Sequence, residues 1–269
     1  MGIIGGQLGY RLLKHISPAP AGESGAPALY SGAKKMETLF GSGVWREIAG
    51  KTVVDFGCGE GAEAIEMAKR GAKHVTGIDI RPEVLARASR AAAAAGVANR
   101  CHFTTRTDVR ADVIFSVDAF EHFADPALIL DLMAGYIDGD GMAWISFGPT
   151  WYHPNGGHLL SVFPWAHLLF TESALLRWRS DFKTDGARRF SEVEGGLNQI
   201  TIARFCSLVE KSPLQFSSFE NVPIRGLWPL AANPLTREFF TSIVRCRLSR
   251  RRPVVTRNQP SHTTYRKTA

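Results

Sequence analysis

The sequence predicts an α/β fold in which a doubly wound, mostly parallel sheet carries helices on both faces. Two observations lead there. Short β-branched runs alternate with helical stretches between residues 52 and 147, and the first run, "VVDFGCGEG" at 53–61, passes through glycines into a helix. Size agrees: 269 residues with 45% hydrophobic content can bury a full core, and they suit one large domain better than two independent ones.

Residues 1–32 are expected as a flexible lead-in, because "SPAPAGESGAPALYSG" at 17–32 is dominated by Pro, Ala, Gly and Ser. "AKKMETLFGSGVWREIAG" has helical spacing through Met36, Leu39, Phe40, Val44, Trp45 and Ile48, with Gly50 as its stop. The chain then alternates. "TVVDF" reads as a strand, "AEAIEMAKRG" as a helix ended by Gly71, "HVTGIDI" as a strand, and "PEVLARASRAAAAAG" as a helix opened by Pro82 and closed by Gly96. The strands "CHFTT" and "DVIFSV", the helix "PALILDLMAGYI" and the strand "MAWISF" continue the pattern. It fails after Gly148, where residues 148–170 hold five aromatics, three histidines and three prolines. Residues 148–198 are therefore expected as an inserted lid. The helix "TIARFCSLVEKS" and two strand-like runs, "LQFSSFENVPI" and "FFTSIVRCRL", complete a domain over 33–249, followed by a basic tail at 250–269.

The net charge of +7 invites a nucleic-acid partner, but its distribution argues against one. Residues 241–269 hold eight of the 32 Lys and Arg and no acid, so the first 240 residues carry 24 basic and 25 acidic side chains. A nucleic-acid enzyme spreads basic residues over its working face. The tail has the composition of a solvated, disordered end, with contact to an anionic partner or surface as the alternative. "MGIIGGQLGYRLLKHI" has no cationic region ahead of its apolar residues and makes a poor signal peptide. The longest apolar segment, "HLLSVFPWAHLLF", is far short of the roughly 20 residues of a membrane span. A cytoplasmic protein without a transmembrane segment is expected. Cys58, Cys101, Cys206 and Cys246 form no CxxC pair, which suits a reducing compartment and offers no zinc spacing.

A strand that leads through glycines into a helix can present backbone N–H groups and the positive end of a helix dipole to a ligand. Gly57, Gly59 and Ala62 fit the dinucleotide spacing, and Asp79 follows Gly57 by 22 residues at the end of the next strand, where it can hold ribose hydroxyls. Spacing alone leaves two cofactor classes open. Asp55 separates them, since a carboxylate at the strand end opposes a pyrophosphate and favours an ammonium or sulfonium.

"VVDFGCGEG", followed by "GIDI" and "DVIFSVDAFEHFADP", resembles the class I S-adenosylmethionine-dependent methyltransferases, in particular the small-molecule, type 11-like branch whose fourth strand ends in a Glu-His pair. The resemblance implies a Rossmann-like sheet of seven strands with a reversed last strand, for which the final two runs supply a hairpin. It implies that Asp55, Gly57, Gly59 and Gly61 surround the methionine part of S-adenosylmethionine. Asp79 would take the ribose with Ile80 beside it, and Asp118 would lie near the methionine moiety or the substrate. The acid that often meets the adenine has only Asp108 to represent it, in "FTTRTDVRADVI".

A sulfonium methyl is already activated, so the protein mainly places a nucleophile in line with the carbon–sulfur bond and excludes water. A hydroxyl acceptor gains from a base. His122, in "FEHF" after the fourth strand, and His158, carried by the "NGGH" turn, are the candidate catalytic residues, each with a purely structural alternative. Trp151, Tyr152 and His153, with Phe163 and Trp165, are candidate substrate contacts, against a reading in which they pack the insertion. Glu121 reads as a helix-start acid. No metal is predicted, because His153, His158 and His167 have no recognised ligand spacing. The reading is a methyltransferase for a small-molecule or glycan-like acceptor, at oxygen. Its rivals are an NAD(P)-dependent oxidoreductase, opposed by Asp55, a non-catalytic cofactor-binding or partner protein, and a nucleic-acid methyltransferase.

Overall fold

The computed structural model describes residues 2–17 and 32–251. Five strands run parallel: β1 (Thr52–Phe56), β2 (His74–Ile78), β3 (Cys101–Thr104), β4 (Ala111–Val117) and β5 (Ile137–Phe147). β6 (Leu214–Pro223) and β7 (Thr241–Arg250) form the antiparallel hairpin, with β7 against β5, so one seven-stranded sheet has the order β3-β2-β1-β4-β5-β7-β6. The chain winds outward from β1 to β3 and then crosses to β4. That reversal opens a crevice between β1 and β4 at their carboxyl ends, where sheets of this kind bind ligands.

Each face of the sheet has its own core. On one face α2 (Gly32–Phe40), α3 (Val44–Ile48), α4 (Ala62–Lys69) and α5 (Pro82–Ala94) bury Met36, Leu39, Val44, Ile48, Met67 and Ala92 against Val53, Phe115 and Trp144. The other face is covered by α6 (Pro126–Tyr136) and α9 (Ile202–Lys211), where Leu130, Met133 and Phe205 meet Val54, Ile114, Phe120 and Phe147. The β-branched residues of β1 are buried on both sides, which is why this strand reads as a continuous apolar run rather than as an alternation.

The structure corrects four boundaries. The helix expected over "AKKMETLFGSGVWREIAG" is two helices, because Gly41 adopts φ +79° and ends α2. β5 starts at Ile137, five residues before "MAWISF", and regains register with β4 after an irregularity at Ala111/Val113. Part of the expected lead-in is ordered: α1 (Gly6–Ile16) buries Leu13 in a third core with Trp151, Phe170, Leu175 and Trp178 of the insertion. The basic end is structured as far as Arg251. Arg245 forms an ion pair with Glu220, Arg247 lies 3.6 Å from the Trp144 ring centroid, and the Arg251 N–H donates to Pro213 O at 2.8 Å. The remainder of the lead-in, residues 18–31, and of the tail, residues 252–269, lies outside the described residues.

Within 148–198 the chain forms α7 (Ala166–Leu169), α8 (Glu172–Arg179) and two short 3-10 turns. α1 docks on α8. The Trp178 Nε1–H donates to Ser17 O at 2.8 Å, Arg177 donates to Gln7 Oε1 at 2.7 Å, and Ile4 bridges to Phe170. α10 (Trp228–Ala232) and α11 (Arg237–Phe240) fill the β6–β7 connection. No helix among the described residues is long and apolar enough to cross a membrane.

Candidate active site

The glycine loop leaves β1 at Phe56 and enters α4 through Gly61. Gly57 has φ +82°, and a Cβ there would stand 2.6 Å from the Ala119 Cβ. Gly61 has φ +79°, with the Phe103 ring 2.8 Å from where its Cβ would be. Only glycine fits these two positions. The loop's amides are largely engaged within the protein. Gly57 and Cys58 N–H both donate to Ile78 O (2.8 and 3.0 Å), Gly61 N–H to Cys58 O (2.9 Å), and Gly59 N–H to Asp79 Oδ2 (3.1 Å). The sequence pattern suggested N–H groups held free for a ligand; here those of Gly57, Cys58, Gly59 and Gly61 brace the loop instead.

Carboxylates set the character of the site. Asp55 is 2% exposed and its Oδ2 has no hydrogen-bond partner among the described residues. Burial, with Glu63 adding repulsion and Lys35 opposing, pushes the Asp55 carboxyl up to about 8. Lys35 of α2 reaches Asp118 Oδ2 at 2.9 Å and Glu63 Oε1 at 3.5 Å. Burial works against its charge, but Asp118 and Glu63 outweigh that and hold the Lys35 ammonium above its usual range. Asp118 has φ +49° at the end of β4, a backbone state that clusters at functional sites. A cradle with engaged amides and an orphaned buried carboxylate fits a cationic ligand head and disfavours a pyrophosphate.

Asp79, at the end of β2, is held by Arg81. The guanidinium donates from Nε to Oδ1 and from the second nitrogen to Oδ2, both at 3.0 Å, and the Arg81 N–H adds a third bond at 3.0 Å. Burial raises the Asp79 carboxyl, but Arg81 and the Gly59 N–H outweigh it and hold it below the usual carboxylate range. A ribose diol reaching Asp79 therefore displaces or shares Arg81. Ile80 is 86% exposed beside it, an apolar surface without a cover. Asp108 is exposed in the loop after β3.

At the ends of β4 and β5 a second cluster forms. Glu121 is buried, its Oε1 accepts from Gly148 N–H at 3.2 Å, and its Oε2 has no partner among the described residues. Burial, then Asp118, pushes Glu121 up to about 8. His122 and His158, 36 residues apart in sequence, lie with ring centroids 5.2 Å apart. The His122 Nδ1–H donates to Gly196 O at 2.7 Å, so Nε2 carries the lone pair. His158 adopts φ +52°, its Nε2 is buried without a partner, and burial, then His122, lowers it to about 4. Glu121 and His158 share a cavity of ≈ 10 Å³ with Trp151, Leu197 and Ile200. A larger cleft of ≈ 540 Å³, on residues 173–188, shares no lining residue with the glycine loop.

The candidate substrate residues go to three different places. Trp151 is 3% exposed and packs on His167 and Phe190. Tyr152 stacks on Phe239. The buried His153 accepts the Asn155 N–H at its Nδ1 (3.0 Å) and braces its own turn. Phe163 packs against Phe170, and the Trp165 Nε1–H donates to Tyr152 O. Two contributors had no local signature in the sequence, Lys35 and Asn198, and a third, Arg81, stands two residues after Asp79 and was not singled out. Asn198 staples the Glu121–His122 loop by donating to Phe120 O (2.6 Å) and Phe123 O (2.8 Å).

The sheet order, the reversed β7 and the glycine loop with an acid ending β2 define the fold of class I S-adenosylmethionine-dependent methyltransferases. Residues 54–145 match the family model described as "Methyltransferase domain". A ubiquinone biosynthesis O-methyltransferase of Neisseria meningitidis is 36% identical over 107 residues, 37% of this chain and 45% of the relative. A ribosomal protein L11 methyltransferase of Haemophilus ducreyi is 44% identical over 72 residues, 25% of each chain. The chain thus spans less than half the length of these curated relatives. A crystal structure of an S-adenosylmethionine-dependent methyltransferase from Mesorhizobium loti superposes with a TM-score of 0.50 at 17% identity, over 77% of this chain and 96% of that one, a likeness of fold.

Proposed function

We propose that this protein transfers the methyl group of S-adenosylmethionine to oxygen on a small-molecule or glycan-like acceptor. The orphaned Asp55 carboxylate beneath the braced glycine loop carries the cofactor half of this reading. The cofactor supplies an electrophilic methyl on a sulfonium. Asp55, with Gly57, Gly59 and Gly61, faces the cationic methionine end, Asp79 accepts the ribose hydroxyls in exchange for Arg81, Ile80 covers the base, and Asp118 borders the methionine and acceptor.

Acceptor chemistry falls to His122 and His158, at the crevice edge beyond β4 and β5. His122 keeps its Nδ1 on Gly196 O and has Nε2 free of that contact, burial lowers the His158 imidazole below its usual range, and Glu121 supplies a buried carboxyl beside them. The names of the two relatives point to different acceptors, so oxygen is favoured here by the O-methyltransferase likeness together with this basic cluster. Trp151, Tyr152 and His153 position the insertion around that edge. The dense packing of the insertion favours a second reading, a cofactor-binding protein that transfers nothing.

One experiment separates the two. The full-length protein is incubated with methyl-labelled S-adenosylmethionine and lysate small molecules, and products are resolved by mass spectrometry. A labelled ether or ester supports the proposal. Tight S-adenosylhomocysteine binding with no labelled product supports the second reading, and tight NADP binding without any S-adenosylhomocysteine binding overturns both. Ile80→Ala is expected to leave the melting temperature unchanged, because the side chain is 86% exposed. By calorimetry it should weaken S-adenosylhomocysteine binding by about tenfold, the effect of losing roughly two buried methylenes.

A further inference from the structure

We infer that Glu121, His122 and His158 form a binding site for one divalent first-row transition-metal ion. One ligand atom from each residue lies within 4.8 Å of the others. Two imidazoles and a carboxylate are the donor set of catalytic zinc and non-haem iron sites, which keep coordination positions open. Bonds of about 2.1 Å to an ion in tetrahedral geometry place ligand atoms roughly 3.4 Å apart, so a closing movement of side chains by about an ångström completes the site.

Three features set this cluster apart from a chance gathering of polar groups. Glu121 Oε2 and His158 Nε2 are both buried without a hydrogen-bond partner among the described residues, and both residues line the ≈ 10 Å³ cavity, whose volume matches one water-sized occupant. His122 donates its Nδ1–H to Gly196 O at 2.7 Å, the outer contact that fixes the tautomer of a metal-ligating histidine and leaves Nε2 as donor. Glu121 is likewise oriented by the Gly148 N–H on its other oxygen, and His158 is held at φ +52° to bring its ring to His122. Left-handed backbone at a non-glycine residue is costly and persists where the surroundings enforce it.

Three protein ligands leave an ion unsaturated, and its free positions take oxygen. They would be filled by water or, resting on the methyl-transfer reading, by an acceptor hydroxyl. That narrows the acceptor class to alcohols, phenols or neighbouring diols able to ligate a cation. Sequence inspection missed the site because it tested the histidines of the insertion against each other, whereas the ligands are a Glu-His pair from the β4 end and one histidine from the insertion.

The test uses chelator-treated, full-length protein and Co²⁺ as the probe, with equilibrium dialysis for stoichiometry and visible d–d absorption for coordination. Wild type is expected to bind one Co²⁺ per chain, displaceable by Zn²⁺, with a rise in melting temperature. Glu121→Gln keeps an oxygen for the Gly148 N–H and so preserves the fold, yet should lose at least tenfold in affinity, as should His158→Ala. Metal-free melting curves check that both variants fold. Binding that is absent in wild type, or unchanged in both folded variants, overturns the inference. The readout needs neither cofactor nor acceptor, so its outcome is separable from that of the function. Metal binding without methyl transfer would sink only the methyltransferase reading, and transfer by a protein that binds no Co²⁺ would sink only the metal site.

Discussion

Asp55→Asn is expected to melt at a higher temperature than wild type at pH 8 while binding S-adenosylmethionine at least about tenfold more weakly. The carboxyl is 2% exposed and its folded value is pushed up to about 8, against an ordinary value near 4 in the unfolded chain. A raised folded pKa means that the neutral form is the one the fold tolerates. Its contribution to stability is intact below about pH 4 and is lost as pH rises through about 8, because the unfolded chain ionises freely while the folded chain resists. Asparagine has the same shape without that penalty. The gain at pH 8 should be on the order of 5 kcal/mol, or roughly 10–20 °C in a domain of this size. It should shrink steadily toward pH 4.

Binding runs the other way. A cationic ligand head prefers the ionised carboxylate, so wild-type affinity should climb as pH approaches 8, and binding at pH 7 should release close to one proton. Calorimetry in buffers of different ionisation enthalpy reads that proton directly. A variant less stable than wild type at pH 8, or one that binds the cofactor as tightly, would remove Asp55 from the site. The expected opposition of stability and binding is the usual mark of a group kept for function.

Trp178→Ala should cost about 3–5 kcal/mol, the range for deleting a large aromatic from a packed core. Trp178 is 1% exposed, stacks edge-on against Phe182, and ties its indole N–H to Ser17 O at the end of α1. The loss should be local. Hydrogen exchange should rise across α1 and residues 151–197, while the glycine loop, which belongs to a different core, keeps its protection and its S-adenosylhomocysteine affinity. Uniform loss of protection across the sheet would show that the three cores unfold as one.

The parallel sheet was readable because each of its signals is local: β1 is apolar throughout, Pro82 opens α5, and Gly57 and Gly61 mark a turn that tolerates nothing larger. The hairpin order of β6 and β7 came through the family likeness, since antiparallel insertion of β7 beside β5 depends on contacts about 100 residues apart. α1 escaped for the same reason. Its apolar face looks like an aimless short run until residues 170–178 are brought beside it. In the candidate site, Asp55, Asp79 and Asp118 could be singled out because they lie next to the glycine loop or a strand end. Lys35 could not, because its salt bridge to Asp118 crosses elements and leaves no trace in spacing, and Arg81, only two residues after Asp79, was passed over. The Glu121, His122 and His158 grouping was half legible, with the two histidines named and their shared carboxyl read as a helix-start acid.

The docking of α1 on α8 also sets a timetable for biosynthesis. Residues 6–16 leave the ribosome about 160 residues ahead of the helix that buries them, and at 5–20 residues per second that is a wait of roughly 10–30 s. Throughout it Leu13 and the rest of its stripe have no partner, while β1 to β5 and their helices can already assemble. The first helix made is thus among the last to find its place, and a nascent chain stalled before residue 172 would expose a greasy, unclaimed N-terminal segment to chaperones and proteases.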